Sequence, residues 1–190
     1  MGYLGLPPIA SSEPILCLVW EQIANLSSGR LQERSDAAAS LVLLARDNDR
    51  YGKLIIEEGG VPPLLELVKE GRPDGQENAA RAIGLLDRDK ESVEHIINAG
   101  VGAIFAKILK DGHMKVQAMV AWTVSEWAAH NPKCQDHFAQ NNVVQLLVSH
   151  LAFEIIQEHS KYDIGARLCH NKMSSLQSVD INTKYMEDKH

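Results

Sequence analysis

Apolar positions along this chain fall at helical spacing. Leu16, Val19, Ile23 and Leu26 lie at i, i+3, i+7 and i+10, one face of a helix that Pro14 opens, Ser12 caps and Ser28-Gly29 ends. A second helix is predicted over Leu31 to Arg46. Its small residues Ala37, Ala38, Ala39 and Ser40 precede Leu41 and Leu44 and let neighbouring axes approach closely. Asp47-Asn48-Asp49 breaks it, a short helix carries Leu54, Ile55 and Ile56, and Gly59-Gly60 supplies a sharp corner. The cycle returns as Val61 to Glu70, a break over 71–75, Gln76 to Leu86, and Glu91 to Asn98. It returns again as Val101 to Lys110, Lys115 to Ala129 and Lys133 to Gln140. Val143 to His159 reads as a further helix with Leu146, Leu147, Leu151, Phe153, Ile155 and Ile156 apolar, and from Ser160 the chain turns polar.

The blocks also resemble one another in their residues. Gly60-Val61-Pro62-Pro63-Leu64-Leu65 is echoed from Gly100 and, more loosely, from Asn142, at steps of 40 and 42 residues. Ala37 to Leu44 is echoed by Ala79 to Leu86 and by Val120 to Trp127, at steps of 42 and 41. A helical period of this length is the signature of a HEAT or armadillo solenoid, and the three-helix rhythm with a glycine corner selects armadillo. The expected fold is all-α: an armadillo-type right-handed α-solenoid of about three to four repeats over 13–159, with cycles 13–58, 59–99, 100–141 and a partial 142–159. Residues 160–190 form a flexible tail in this reading. The unfinished fourth cycle predicts a piece of a longer array whose bare apolar strip over 143–159 favours self-association.

Composition narrows the function. Of the net charge of −6, residues 1–159 carry −7 and the rest +1, so the repeat body is acidic and lacks the basic stripe that phosphate neutralisation needs. Nucleic acid is excluded as a partner on this ground. No apolar run reaches the length of a membrane span, and the short stretch from Ile15 to Trp20 lacks the basic start of a signal peptide. Cys17, Cys134 and Cys169 are odd in number and widely spaced, as expected of reduced thiols in a cytosolic or nuclear protein.

Longer stretches carry a more specific likeness. Asp36 to Val42, Leu44 to Val61, Gly75 to Leu86, and His150 to Glu154 followed by Gln157 to Tyr162 resemble the plant armadillo-repeat-only proteins over roughly residues 13–162. The resemblance implies a non-enzymatic scaffold that organises polarised growth in plant cells. It implies small GTPases of the plant Rho class and their regulators as partners, effects on actin and vesicle traffic, and a cytoplasmic location reaching the cell cortex at the plasma-membrane periphery.

In an armadillo solenoid the third helix of each repeat lines a groove. Helical spacing nominates Asp36, Ala39, Leu43 and Arg46; Asn78, Arg81, Leu85 and Arg88; and Met119, Trp122, Glu126 and Ala129. Asp36, Arg46, Asn78, Arg81, Arg88, Met119, Trp122 and Glu126 are the candidate partner-binding residues, and the acidic body predicts an acidic groove for a basic or mixed segment. Import adaptors of the importin-alpha type clamp basic peptides with Trp and Asn at i and i+4. Here that pair is resembled by Trp122 with Glu126 alone, so a nucleocytoplasmic transport adaptor, with a nuclear location, is the second reading. Trp127 is expected in the core. Cys134 with His137, and Cys169 with His170, have no second pair that closes a four-ligand metal site. No phosphate-cradling glycine loop, nucleophile elbow or paired-acid motif is present, so no catalytic residue, metal or cofactor is expected.

Overall fold

The computed structural model describes residues 13–129 and 131–152, helical apart from the corners between helices. In order these are α1(Glu13–Ser28), α2(Leu31–Asp47), α3(Asp49–Glu57), α4(Val61–Glu70), α5(Pro73–Gly84), α6(Lys90–Asn98), α7(Val101–Asp111), α8(Met114–Ala128) and α9(Pro132–Gln140), followed by α10(Val143–Ala152). The chain divides into two compact units, 1–147 and 148–190. Of the second, residues 148–152 are described, at the end of α10. Within the first unit, α2, α5 and α8 lie side by side as one layer, with α1, α4 and α7 packed behind them. The short helices α3, α6 and α9 link successive turns, forming an armadillo-type α-solenoid.

Local chemistry sets the boundaries. Each short helix has an N-cap whose side chain accepts backbone N–H bonds: Asn48 from Arg50, Asp89 from Ser92, and Asn131 from Lys133 and Cys134. Asn48 is also the C-cap of α2, so the break expected over three residues is a single residue wide. α5 begins at Pro73 rather than Gln76, because proline suits the first helical turn and Arg72 ahead of it is extended. The break expected over 71–75 is thus shortened, and Gly75 is a buried helical residue. The residue one beyond the C-cap is left-handed at all three corners: Gly59 at φ 79, Gly100 at φ 84 and Asn142 at φ 61. By this backbone register the corners repeat at 59, 100 and 142, steps of 41 and 42 residues. Gly60 is one extra residue in the first corner.

Buried hydrophobics of all three turns join in one core, from Val19 and Leu26 through Leu64, Ile83 and Phe105 to Phe138 and Val143. Adjacent turns are tied by bonds about one repeat apart in sequence. Thr123 Oγ1 donates to the Ala80 carbonyl at 2.9 Å, and Trp127 Nε1 to the Ile83 carbonyl at 3.0 Å. Trp127 is a core residue, 2% exposed. Leu146 and Leu147, expected to lie bare, are half-buried against this core, because the preceding turn covers that side of α10. Leu151 is exposed. Ser12, Phe153, Ile155, Ile156 and the tail 160–190 lie outside the described residues.

Candidate partner-binding face

α2, α5 and α8 each bury one side and present the other. In α2 the buried residues are Ala37, Ala38, Leu41, Val42 and Ala45, while Asp36, Leu43 and Arg46 are exposed. In α5 and α8, Asn78, Arg81, Met119, Trp122 and Glu126 are half-buried. None of the eight nominated residues is buried, although Met119 packs against the core. The methyl-sized residues behind the face let the three helices run close together.

Arg88 corrects the helical register used to nominate it. α5 stops at Gly84, so Arg88 stands in the loop before α6 and folds back. Its Nη2 donates to the Gly84 carbonyl at 3.0 Å and to Glu126 Oε2 at 3.1 Å, satisfying an orphan carbonyl at the helix end. The structure thus brings Arg88 and Glu126 together across two repeats. Trp122 lies over Gly84 of the adjacent helix: a Cβ there would come within 2.5 Å of Trp122 Cζ3. Arg81 pairs with Glu77 at 2.9 Å, and Lys115 reaches Asp74 and Glu77 at 3.7 and 3.9 Å. Asp36 accepts a bond from Gln32 Nε2.

The nominated positions themselves are not predominantly acidic. The nominated positions hold Arg46, Arg81 and Arg88 against Asp36 and Glu126. Exposed acids lie on other helices, at Glu57, Glu66, Glu70, Glu91, Glu94, Asp111 and Asp136, and also on α2 and α5, at Glu33, Asp47 and Asp74.

Sequence reasoning missed a pocket of about 300 Å³ at one end of the face, lined by Ala45, Arg46, Asp49, Leu85, Leu86, Asp87 and Arg88. It lies where α2 passes into α3 and α5 ends, so loop residues beyond the periodic helices complete it. It also missed the Lys53–Asp89 pair at 3.0 Å, which joins successive short helices. The Ser92 backbone N–H and the Lys53 ammonium hold the Asp89 carboxyl down at about 2.

Cys134 is buried, and burial pushes its thiol up to about 11, leaving it inert. The described residues contain no cluster of three or more His, Cys, Asp or Glu able to hold a metal ion. Cys169 and His170 are outside them. No single described helix is long and apolar enough to cross a membrane.

Comparison with known proteins agrees with this geometry. Residues 53–86, from within α3 to two residues past α5, match the Armadillo/beta-catenin-like repeat. A repeat therefore counts from a short helix to a long one, the same period entered at another point. Importin subunit alpha-6 of Arabidopsis thaliana is 26% identical over 148 residues, 74% of this chain and 27% of the relative. Computationally designed armadillo repeat proteins for modular peptide recognition superpose with a TM-score of 0.60 at 23% identity, covering 68% of this chain and 55% of theirs. A designed armadillo repeat protein in complex with the peptide (KR)4 gives 0.62 at 20% identity, covering 67% and 54%. The chain thus spans about a quarter of the curated relative and about half of the designed proteins.

Proposed function

We propose that this chain is a non-enzymatic interaction module that seats an extended segment of a partner protein across α2, α5 and α8. One observation carries the reading: equivalent positions of three successive long helices stay accessible, an indole among them, while the opposite sides are committed to the core. The arginine–carboxylate pairs on that face suit a segment of mixed charge better than a uniformly basic one. On the resemblance of residues 13–162 to armadillo-repeat-only proteins, the partners are plant Rho-class GTPases or their regulators. The place of action is then the cytoplasm at the cell cortex, and the role is in polarised growth.

A transport adaptor is the second reading, favoured by the identity to importin subunit alpha-6. Against it, the residue four beyond Trp122 is Glu126, already engaged by Arg88, and the other two rungs hold Ala39 with Leu43 and Arg81 with Leu85. The purified chain, immobilised and offered plant Rho-class GTPases, their regulators and importin-beta-type receptors, separates the two. Retention of a GTPase or regulator, lost on Trp122→Ala, is the expected result. Import receptors and nuclear cargo retained alone would move the assignment to the second reading, and retention of none would remove both.

A further inference from the structure

We infer that the pocket between Arg46 and Arg88 is a subsite for an acidic side chain of the bound segment, which deepens the peptide-binding reading and rests on it. Arg88 is matched by Glu126 from the next repeat. Arg46, one repeat earlier in sequence, stands in the last turn of α2, and the residue one repeat before Glu126 is the uncharged Leu85. The Arg46 side chain accordingly makes no ion pair or hydrogen bond among the described residues. Beside it, both side-chain contacts of Arg88 use Nη2, which leaves Nη1 and Nε for a ligand. The pocket that both arginines line also has apolar walls, of which Leu85 is the most accessible. A glutamate has the matching form: a short apolar stem to lie on Leu85 and a planar carboxylate that accepts the guanidinium fork.

Two carboxylates in the pocket oppose such a ligand, Asp49 and Asp87. Asp87 Oδ1 already accepts the Arg88 backbone N–H at 2.7 Å, and Asp49 stands in the first turn of α3, where the helix amides offset its charge. Neither is within 4.0 Å of the Arg46 nitrogens, since no such pair is formed. The acidic surface elsewhere is screened over about 8 Å at physiological salt, so the contacts within the pocket decide.

Three fluorescent peptides of one length test this by anisotropy: one alternating Glu with Ser and Leu, one with Gln in place of Glu, and one alternating Lys and Arg. The Glu peptide should bind the intact chain most tightly. Arg46→Gln should weaken it by about tenfold, the size expected for one charge-assisted contact, and leave the Gln peptide unchanged. Asp49→Asn and Asp87→Asn should tighten it. Preference for the Lys–Arg peptide, or indifference of the Glu peptide to Arg46→Gln, overturns the subsite. Partner retention by the Arg46→Gln chain separates the two levels: if it persists while the Glu peptide shows no preference, the subsite alone fails, and if the intact chain retains no partner, the peptide-binding reading fails with it.

Discussion

Trp122 and Trp127 stand five positions apart on α8 and meet opposite surroundings. Trp127 is enclosed and donates its indole N–H to the Ile83 carbonyl, so Trp127→Ala should cost about 3 to 5 kcal/mol. Trp122 rests one side on Gly84 and keeps the other in solvent. Its replacement by alanine should lower the melting temperature much less, and equal shifts would remove Trp122 from the binding face. A second residue-scale expectation concerns His137 on α9. Its Nε2 is buried without a hydrogen-bond partner, and burial holds the imidazole below its usual pKa of 6.5. The unfolded chain therefore takes up this proton first, so stability falls as pH drops through about 6.5. Melts at pH 7.5 and 5.5 should show a loss that His137→Gln reduces; an unchanged loss would assign it elsewhere. Asp89 acts in a lower window: its depressed pKa favours the fold above about 4, and that contribution fades as pH falls towards 2. The Trp127 environment was legible in the sequence because it rests on alignment with Leu44 and Leu86. The neutral His137 was not, because the same Cys134 and His137 spacing serves a metal site or a packed edge.

The three corners show how far periodicity reaches at the scale of elements. Apolar spacing located every described helix, since each must turn one face to a shared core. It could not say that Gly59, Gly100 and Asn142 hold the same left-handed backbone, because an asparagine does not look like a glycine in a hydrophobic pattern. Gly100→Ala should destabilise by about 1 to 2 kcal/mol through that backbone alone, as open space surrounds its absent side chain. Asn142→Gly should be close to neutral. Chemical denaturation of both variants checks the pair, and a harmless Gly100→Ala would contradict the corner geometry. That the nominated residues of α2, α5 and α8 stay out of the core was legible for the same reason as the helices. Arg88 and the pocket beside it were less so, because they belong to a loop that periodicity does not reach.

Across the first unit, stability is a sum of neighbour contacts: each long helix packs on the one before and the one after, and no helix spans the whole. Amide exchange should therefore be slowest in α4 and α5, which have turns on both sides, and faster in α1 and α9. Uniform protection would instead indicate a single cooperative block. Exposed pairs such as Lys53–Asp89 and Lys133–Glu94 join successive turns and add little stability. The extra Gly60 in the first corner has a consequence for how such a chain can lengthen. One residue was accommodated there while α2, α5 and α8 kept their side-by-side register, so the corners act as expansion joints. A glycine inserted between Gly100 and Val101 should leave a folded chain, whereas one inserted within α5 rotates every later residue by about 100° and should abolish the layer. Variation in repeat length is thus confined to the seams, and the accessible positions of α2, α5 and α8 keep their spacing.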